Sequence, residues 1–188
     1  MLNKHYNMRY YVIAGEPSGD LHGGKLLRGI REEDAEATFR FCAGDRMAEV
    51  AGSDAMLYHY TEMSFFGFVQ VAMNLRTIFG QIDNVKADIS RFNPDVVILI
   101  DYPAFNLRIA KWAKAQGIKV YYYIAPKVWA WKERRVKSIR KYVDRLYTSF
   151  PFESDYFRSH GIEPHFFGNP LVDDIAERKP SLPTREEF

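Results

Sequence analysis

Val96-Val97-Ile98-Leu99-Ile100-Asp101-Tyr102-Pro103-Ala104-Phe105-Asn106 is the stretch that decides the fold. Its five apolar residues, most of them β-branched, predict a strand buried on both faces, as in a parallel sheet covered by helices. Pro103 ends the ladder pairing, and Asn106 is predicted to cap a helix that begins at Leu107. Asp101 is therefore expected at the carboxyl end of a central strand, where open α/β sheets bind ligands. Position alone leaves open whether this carboxylate acts on a ligand or only caps the turn.

Composition restricts the class of protein. With 188 residues, 47% of them hydrophobic, the chain can build one good core and at most a small second one. A net charge of +2 requires no nucleic-acid partner, and a single cysteine, Cys42, excludes an intrachain disulfide and fits a reducing cytoplasm. No apolar run reaches the length of about 20 residues that spans a bilayer. We expect a soluble, cytoplasmic α/β protein.

Further apolar segments predict strands that alternate with helices along the chain. The strands are expected at 10–14, 38–42, 55–58, 120–124, 145–149 and 165–167. This alternation predicts a Rossmann-like fold, with an open, mostly parallel sheet and helices on both faces.

The first strand is followed by a glycine-rich turn, Gly15-Glu16-Pro17-Ser18-Gly19-Asp20. Such a turn offers backbone amides to a phosphate, but the dinucleotide spacing is absent and Glu16 would repel the anion. A tight turn that simply needs its glycines is the alternative. Ser18 or Asp20 is predicted to cap the helix that follows. Within it, Gly23-Gly24 indicates close approach by a ligand or by another helix.

Residues 63–73 are unusually apolar: eight of eleven are apolar, and three are phenylalanine. An ordinary core helix is one interpretation. However, the next helix, 75–92, already has a clean apolar face of its own. We therefore predict an exposed patch for acyl chains or a membrane surface. Its residues are Met63, Phe65, Phe66, Phe68, Val69 and Val71.

A basic cluster lies between residues 127 and 145. Eight Lys or Arg residues there face only Glu133 and Asp144, a local net charge of +6. A solvated face of a basic helix after Trp131 would explain the charge. The neighbouring Trp129 and Trp131 favour a lipid headgroup interface instead, because amphipathic rings beside cations suit that environment.

The carboxyl-terminal residues predict an unfinished structure. From residue 173 the chain is polar and contains Pro180 and Pro183, which is typical of a linker, and 184–187 form a capping box at the start of a helix. We expect the chain to be a fragment or a coding unit that was cut short.

Five motifs in this order resemble one family. They are Gly-Glu-x-Ser-Gly-Asp at 15–20, Ile-Asp-x-Pro-x-Phe-Asn at 100–106, Pro-x-Val-Trp-Ala-Trp at 126–131, Pro-Phe-Glu at 151–153 and Gly-x-Pro-Leu-x-Asp at 168–173. The chain is similar to lipid-A-disaccharide synthase, an inverting glycosyltransferase of the two-Rossmann-domain GT-B architecture. Two positions depart from the family pattern: Asn169 replaces a frequent histidine, and Gln70 a frequent glutamate.

The resemblance implies the amino-terminal, acceptor-binding half of such an enzyme at 8–172, with a linker and helix start at 173–188. The nucleotide-binding carboxyl-terminal domain would be missing, so the isolated chain would be inactive. The implied reaction transfers 2,3-diacylglucosamine from UDP-2,3-diacylglucosamine to 2,3-diacylglucosamine 1-phosphate, releasing UDP. Neither cofactor nor metal is implied. The enzyme would lie on the cytoplasmic face of the inner membrane, in contact with its lipids, and a homodimer stays an open alternative.

The resemblance also implies residue roles. Asp101 would be the general base that takes the proton from the acceptor's 6-hydroxyl. Residues 15–20 would line the floor of the cleft, including Gly15, Glu16, Ser18, Gly19 and Asp20. Lys132 and Arg135 would bind the acceptor's 1-phosphate. The other implied cleft residues are Asn106, Pro126, Trp129, Trp131, Glu153 and Asn169.

Two other functions compete with this interpretation. A non-catalytic lipid-binding module at the membrane surface would need no second domain. A sugar-nucleotide epimerase-like domain would share the architecture but has no need for an acyl-sized apolar patch.

Overall fold

The computed structural model describes residues 7–63, 75–130 and 132–178, and its central feature is a seven-stranded sheet. All neighbouring strands are parallel, in the order β3-β2-β1-β4-β5-β6-β7. The strands are β1 Arg9–Ala14, β2 Thr38–Ala43, β3 Met56–His59, β4 Val96–Ile100, β5 Lys119–Tyr123, β6 Arg145–Thr148 and β7 Pro164–Phe166. The predicted Rossmann-like architecture is confirmed, and the sheet is parallel throughout.

Helices follow the strands as crossover connections, which parallel pairing requires. They are α1 Pro17–Glu33, α2 Asp45–Ala51, α3 Tyr60–Met63, α4 Leu75–Phe92, α5 Pro103–Ala115, α6 Arg135–Tyr142, α7 Pro151–Ser159 and α8 Pro170–Arg178, with a short 3₁₀ turn at Ser53–Ala55.

Strand β4 is the middle strand of the sheet, as its apolar run predicts. It pairs with β1 on one side and β5 on the other, and all five of its residues are buried. Its side chains alternate between two cores. Val97 and Leu99 pack under α4 and α5, while Val96, Ile98 and Ile100 pack on the opposite face of the sheet.

The paired glycines of α1 mark a contact between helices. A Cβ atom on Gly23 would lie 2.5 Å from the Met47 sulfur, and one on Gly24 would lie 2.8 Å from the Arg46 carbonyl oxygen. Of the two alternatives left by the sequence, close approach by another helix is correct, because Arg46 and Met47 belong to α2.

Helix α8 differs from the prediction for the end of the chain. A polar linker was expected from residue 173, but α8 continues to Arg178. Asn169 Oδ1 accepts a hydrogen bond from the Leu171 amide at 3.0 Å, which supports the first turn of α8. The predicted helix start at 184–187 lies outside the described residues.

Candidate functional site

The chain leaves the central strand through a strained turn. Asp101 and Tyr102 both have left-handed backbones, with φ of 41° and 47°. Two such non-glycine residues in succession are energetically unfavourable, and strain of this kind concentrates at functional sites. The turn directs Asp101 to the carboxyl edge of the sheet, where the sequence predicted a ligand site.

Asn106 and Tyr122 hold this turn from below. The buried Asn106 Nδ2 donates to the carbonyl oxygens of Ile100 at 3.2 Å and Asp101 at 2.7 Å. The Tyr122 hydroxyl donates to the same Asp101 oxygen at 2.5 Å. Asp101 is therefore positioned by side chains from α5 and β5.

The predicted helix start at Asn106 is wrong. Helix α5 begins at Pro103, and Asn106 lies inside its first turns with no exposed surface. Pro103 supplies the physical reason, because a proline at the first helical position has a suitable fixed φ and needs no N–H partner. Asn106 consequently supports the cleft from below and does not line it.

Burial raises the pKa of the Asp101 carboxyl above its ordinary value of 3.8. The positive charges of Lys127 and Arg135, and an interaction with the Tyr102 backbone, oppose this shift. The pKa of Glu16 is raised as well, mainly by burial and then by the charge of Asp101. Two carboxylates that repel each other and two cations thus share one region at the sheet edge.

A cleft of about 220 Å³ opens beside Asp101. It brings together residues from distant parts of the chain, as expected where the carboxyl ends of parallel strands meet. Its lining includes four of the predicted site residues, Ser18, Gly19, Asp101 and Asn169. His22, Lys127 and Phe150 line it too, and the sequence patterns predicted no role for them at the site. The Pro-x-Val-Trp and Pro-Phe-Glu motifs that flank Lys127 and Phe150 were the available signals.

Gly15 forms a platform for the strained turn. A Cβ atom there would lie 2.4 Å from the ring of Tyr102, so the ring packs directly on the glycine backbone. The Tyr102 hydroxyl donates to the Met63 carbonyl oxygen at 2.8 Å. The glycine-rich turn of residues 15–20 and the Asp101 turn are therefore in contact.

Neither Ser18 nor Asp20 caps α1 as predicted, because the N-cap residue is Glu16 and Ser18 lies inside the helix. Helix α1 begins at Pro17, so Asp20 already lies inside it, and Asp20 is buried. Its carboxylate accepts hydrogen bonds from the amides of Gly44, Arg46 and Met47 at 2.9–3.1 Å. Asp20 therefore caps the amino terminus of α2, where a negative charge is favourable.

Glu153 is buried, and it is absent from the cleft lining among the described residues. Its carboxylate accepts hydrogen bonds from the amides of Ser149 and Phe150 and from Trp129 Nε1, at 3.0–3.1 Å. The predicted position in the first turn of a helix is confirmed. What the sequence could not show is the link to Trp129.

The basic segment divides into two parts. Lys132 has a left-handed backbone with φ of 58°, so the helix begins only at Arg135, later than predicted. Burial lowers the pKa of Arg135, whose charge interacts with Tyr122, Arg108 and Asp101. Arg135 therefore belongs to the Asp101 region, whereas Arg134 and Lys137 are exposed. Pro126 is buried and is not among the described residues that line the cleft, and Trp131 lies outside the described residues.

Met63 contradicts the predicted exposed patch. Its side chain is fully buried in the core under α4. Its position at the carboxyl-terminal end of α3, directly after strand β3, brings it onto the sheet. The other patch residues, Phe65, Phe66, Phe68, Val69 and Val71, lie outside the described residues, as does Gln70.

None of the helices within residues 7–63, 75–130 and 132–178 has both the length and the hydropathy needed to cross a bilayer. No three His, Cys, Asp or Glu side chains among these residues lie close enough together to share a metal ion.

Comparison with known proteins then identifies the family. The profile of the lipid-A-disaccharide synthetase family matches residues 10–188. The chain belongs to this family. A lipid-A-disaccharide synthase from Geobacter metallireducens is 40% identical over 170 residues, covering 90% of this chain and 44% of the relative. One from Myxococcus xanthus is 35% identical over 180 residues, covering 96% of this chain and 46% of the relative. The chain thus spans about half the length of these lipid-A-disaccharide synthases.

Solved structures show the same fold at low sequence identity. A UDP-GlcNAc 2-epimerase from Neisseria meningitidis, bound to UDP-GlcNAc, aligns with a TM-score of 0.64 and 13% identity, covering 93% of this chain and 50% of that one. The enzyme from Rickettsia bellii gives a TM-score of 0.63 at 13% identity, covering 93% and 48%. At this identity the likeness concerns the fold, one Rossmann-like half of a GT-B-like architecture.

Proposed function

We propose that this chain is the acceptor-binding part, residues 8–172, of a lipid-A-disaccharide synthase. The whole enzyme would transfer 2,3-diacylglucosamine from its UDP donor to 2,3-diacylglucosamine 1-phosphate, forming the disaccharide 1-phosphate and UDP. The observation that carries the proposal is the strained, anchored turn that presents Asp101 in a cleft at the carboxyl edge of the sheet.

Asp101 acts as the general base in this proposal. A single inverting displacement requires one group to accept the proton of the acceptor's 6-hydroxyl as the glycosidic bond forms. Burial favours proton uptake by raising the carboxyl pKa, while the positive charges of Lys127 and Arg135 oppose that shift by stabilising the ionised form. The donor nucleotide and the departing diphosphate would be bound by the second domain, for which the extra length of the curated relatives leaves room.

The cations beside Asp101 also suit the acceptor phosphate. Arg135 is partly buried next to the cleft and stays charged at neutral pH even with a lowered pKa. Lys127 lines the cleft itself. Of the two phosphate ligands that the resemblance implies, our proposal keeps Arg135, because Lys132 lies on an exposed turn before α6.

We further propose that the enzyme acts at the cytoplasmic face of the inner membrane, where both diacylated substrates reside. The exposed cations of α6 support this proposal, since each basic residue near an anionic surface contributes about 1 kcal/mol at low salt. Flotation of the chain with anionic vesicles should weaken when salt rises or when Lys137 and Lys141 are replaced by Glu. Flotation that ignores both changes would contradict this placement.

Activity of Asp101→Asn tests the proposed base. The test protein is a full-length chain that contains these residues, because the 188 residues span only about half the length of the lipid-A-disaccharide synthases that they match. Asparagine preserves size but cannot accept the proton, so release of UDP should fall about 10²–10⁴-fold, with folding retained. A fully active Asp101→Asn enzyme would exclude Asp101 and direct the search to Glu16.

A further inference from the structure

Three aromatic rings form a continuous ladder beside the cleft. The ring of Phe150 stacks on Phe152, with centroids 5.7 Å apart and planes 21° apart. Trp129 meets Phe152 edge to face, at 5.0 Å and 82°. We call Phe150, Phe152 and Trp129 the aromatic ladder. The middle ring and one end of the ladder are open to solvent, with 50% of Phe152 and 41% of Trp129 exposed.

Glu153 holds this ladder in place from the interior. Its carboxylate is buried, and it accepts from Trp129 Nε1 at 3.1 Å and from the Phe150 amide at 3.1 Å. One carboxylate thus fixes two of the three ladder residues, although Trp129 and Glu153 lie 24 positions apart in the chain. Because the indole N–H is used inward, the ladder presents only carbon surfaces to a ligand. A contiguous aromatic surface that is exposed to water is unfavourable, and such surfaces usually mark binding sites.

The ladder begins at the wall of the proposed active site. Phe150 lines the same cleft as Asp101. The Lys127 ammonium lies 6.0 Å from the centre of the Phe150 ring, and its charge also acts on Asp101. A group lying at the Phe150 end of the ladder would therefore share the cleft with the Asp101 carboxylate and the Lys127 ammonium.

We propose that the aromatic ladder binds the C–H face of the acceptor's pyranose ring and so orients its 6-hydroxyl toward Asp101. This inference rests on the function proposed above. A pyranose ring carries several C–H groups on one face, and these are attracted to the negative π-face of an aromatic ring. Its hydroxyls remain at the rim, where polar groups such as Lys127 can reach them. The ladder would thus position the sugar, and Asp101 would act on it.

The test uses Phe152→Leu, which removes the π-face but keeps an apolar side chain. Binding of the 188-residue chain to 2,3-diacylglucosamine 1-phosphate in mixed micelles is measured by tryptophan fluorescence. Phosphatidic acid in the same micelles is the matched ligand, because it has two acyl chains and a phosphate but no sugar ring. Phe79→Leu is the matched variant, since Phe79 on α4 is 49% exposed and lies outside the cleft.

We expect Phe152→Leu to weaken binding of the glycolipid by about fivefold to tenfold, the usual effect of one aromatic contact. Binding of phosphatidic acid should stay unchanged, Phe79→Leu should behave as wild type, and Phe152→Tyr should restore affinity. Equal losses for both lipids would overturn the inference in favour of a general membrane-interface role. Wild-type affinity of Phe152→Leu for the glycolipid would overturn it too, while leaving the proposed function intact. Failure of the wild-type chain to bind the glycolipid would refute the proposed function itself.

Discussion

Replacement of Asn106 by alanine should destabilise the fold through the turn that carries Asp101. The buried amide donates to two carbonyl oxygens, and both bonds are lost in the variant. A net contribution of about 1 kcal/mol for each bond, plus the cost of removing the side-chain donor from the buried Ile100 carbonyl, gives a loss of about 2–4 kcal/mol in the free energy of unfolding. The variant should still fold, since domains of this size typically have about 5–15 kcal/mol of stability.

The loss should depend on Tyr122. Its hydroxyl shares the Asp101 carbonyl oxygen with Asn106, so either donor alone still satisfies that acceptor. In a double-mutant cycle with Tyr122→Phe, we expect the double variant to lose about 0.5–1 kcal/mol more than the two single losses together.

Urea unfolding, followed by circular dichroism and tryptophan fluorescence, measures each free energy. Asn84→Ala provides the matched control, because Asn84 is exposed and its amide donates only to the Tyr58 hydroxyl among the hydrogen bonds of the described residues. That variant should change stability by less than about 0.5 kcal/mol. An Asn106→Ala protein as stable as Asn84→Ala would refute the idea that Asn106 holds the turn.

Two further predictions concern a helix contact and the titration of Asp101. Gly24→Ala should lower the free energy of unfolding by about 1–2 kcal/mol, because its Cβ would lie 2.8 Å from the backbone oxygen of Arg46. Gly29→Ala, whose Cβ would have nothing within 4 Å, should raise it by about 0.5–1 kcal/mol in the same urea experiment. Equal effects of the two would contradict close α1–α2 packing. Asp101→Asn should raise the thermal midpoint at pH 7. The folded state holds the Asp101 proton more tightly than the unfolded state does, so ionisation of this carboxyl above its ordinary pKa of 3.8 destabilises the fold. Asparagine also tolerates the left-handed backbone. The part of the gain that comes from charge should vanish below about pH 3.8, and a gain independent of pH would assign the whole effect to the backbone.

The strands were predictable because each depends on a local pattern. The apolar run of β4 required burial on both faces, and the structure buries all five residues. Side-chain partners were harder to predict, because they depend on contacts between distant segments. The local sequence predicts that Asp20 caps α1. In the structure its carboxylate accepts hydrogen bonds from backbone amides that lie 24–27 positions away in the chain.

The site shows the same division. The sequence located Asp101 at the end of the central strand, since strand ends and proline signals are local. It could not show that Asp101 and Tyr102 adopt left-handed backbones, because their cost is offset by Asn106 and Tyr122 only in the folded structure. Asn106 was misread because two helix-start signals, Pro103 and Asn106, lie three residues apart and propensity alone does not rank them.

The sheet order has a consequence during synthesis on the ribosome. Strand β1 needs β4 beside it, and Arg9 and Asp95, which pair at this seam, lie 86 positions apart in the chain. At roughly 5–20 residues per second, the apolar edge of β1 stays uncovered for about 4–17 s while the intervening chain is made. Over this interval the exposed edge favours aggregation, so binding of chaperones to the nascent chain should decrease once residues 96–100 have been made.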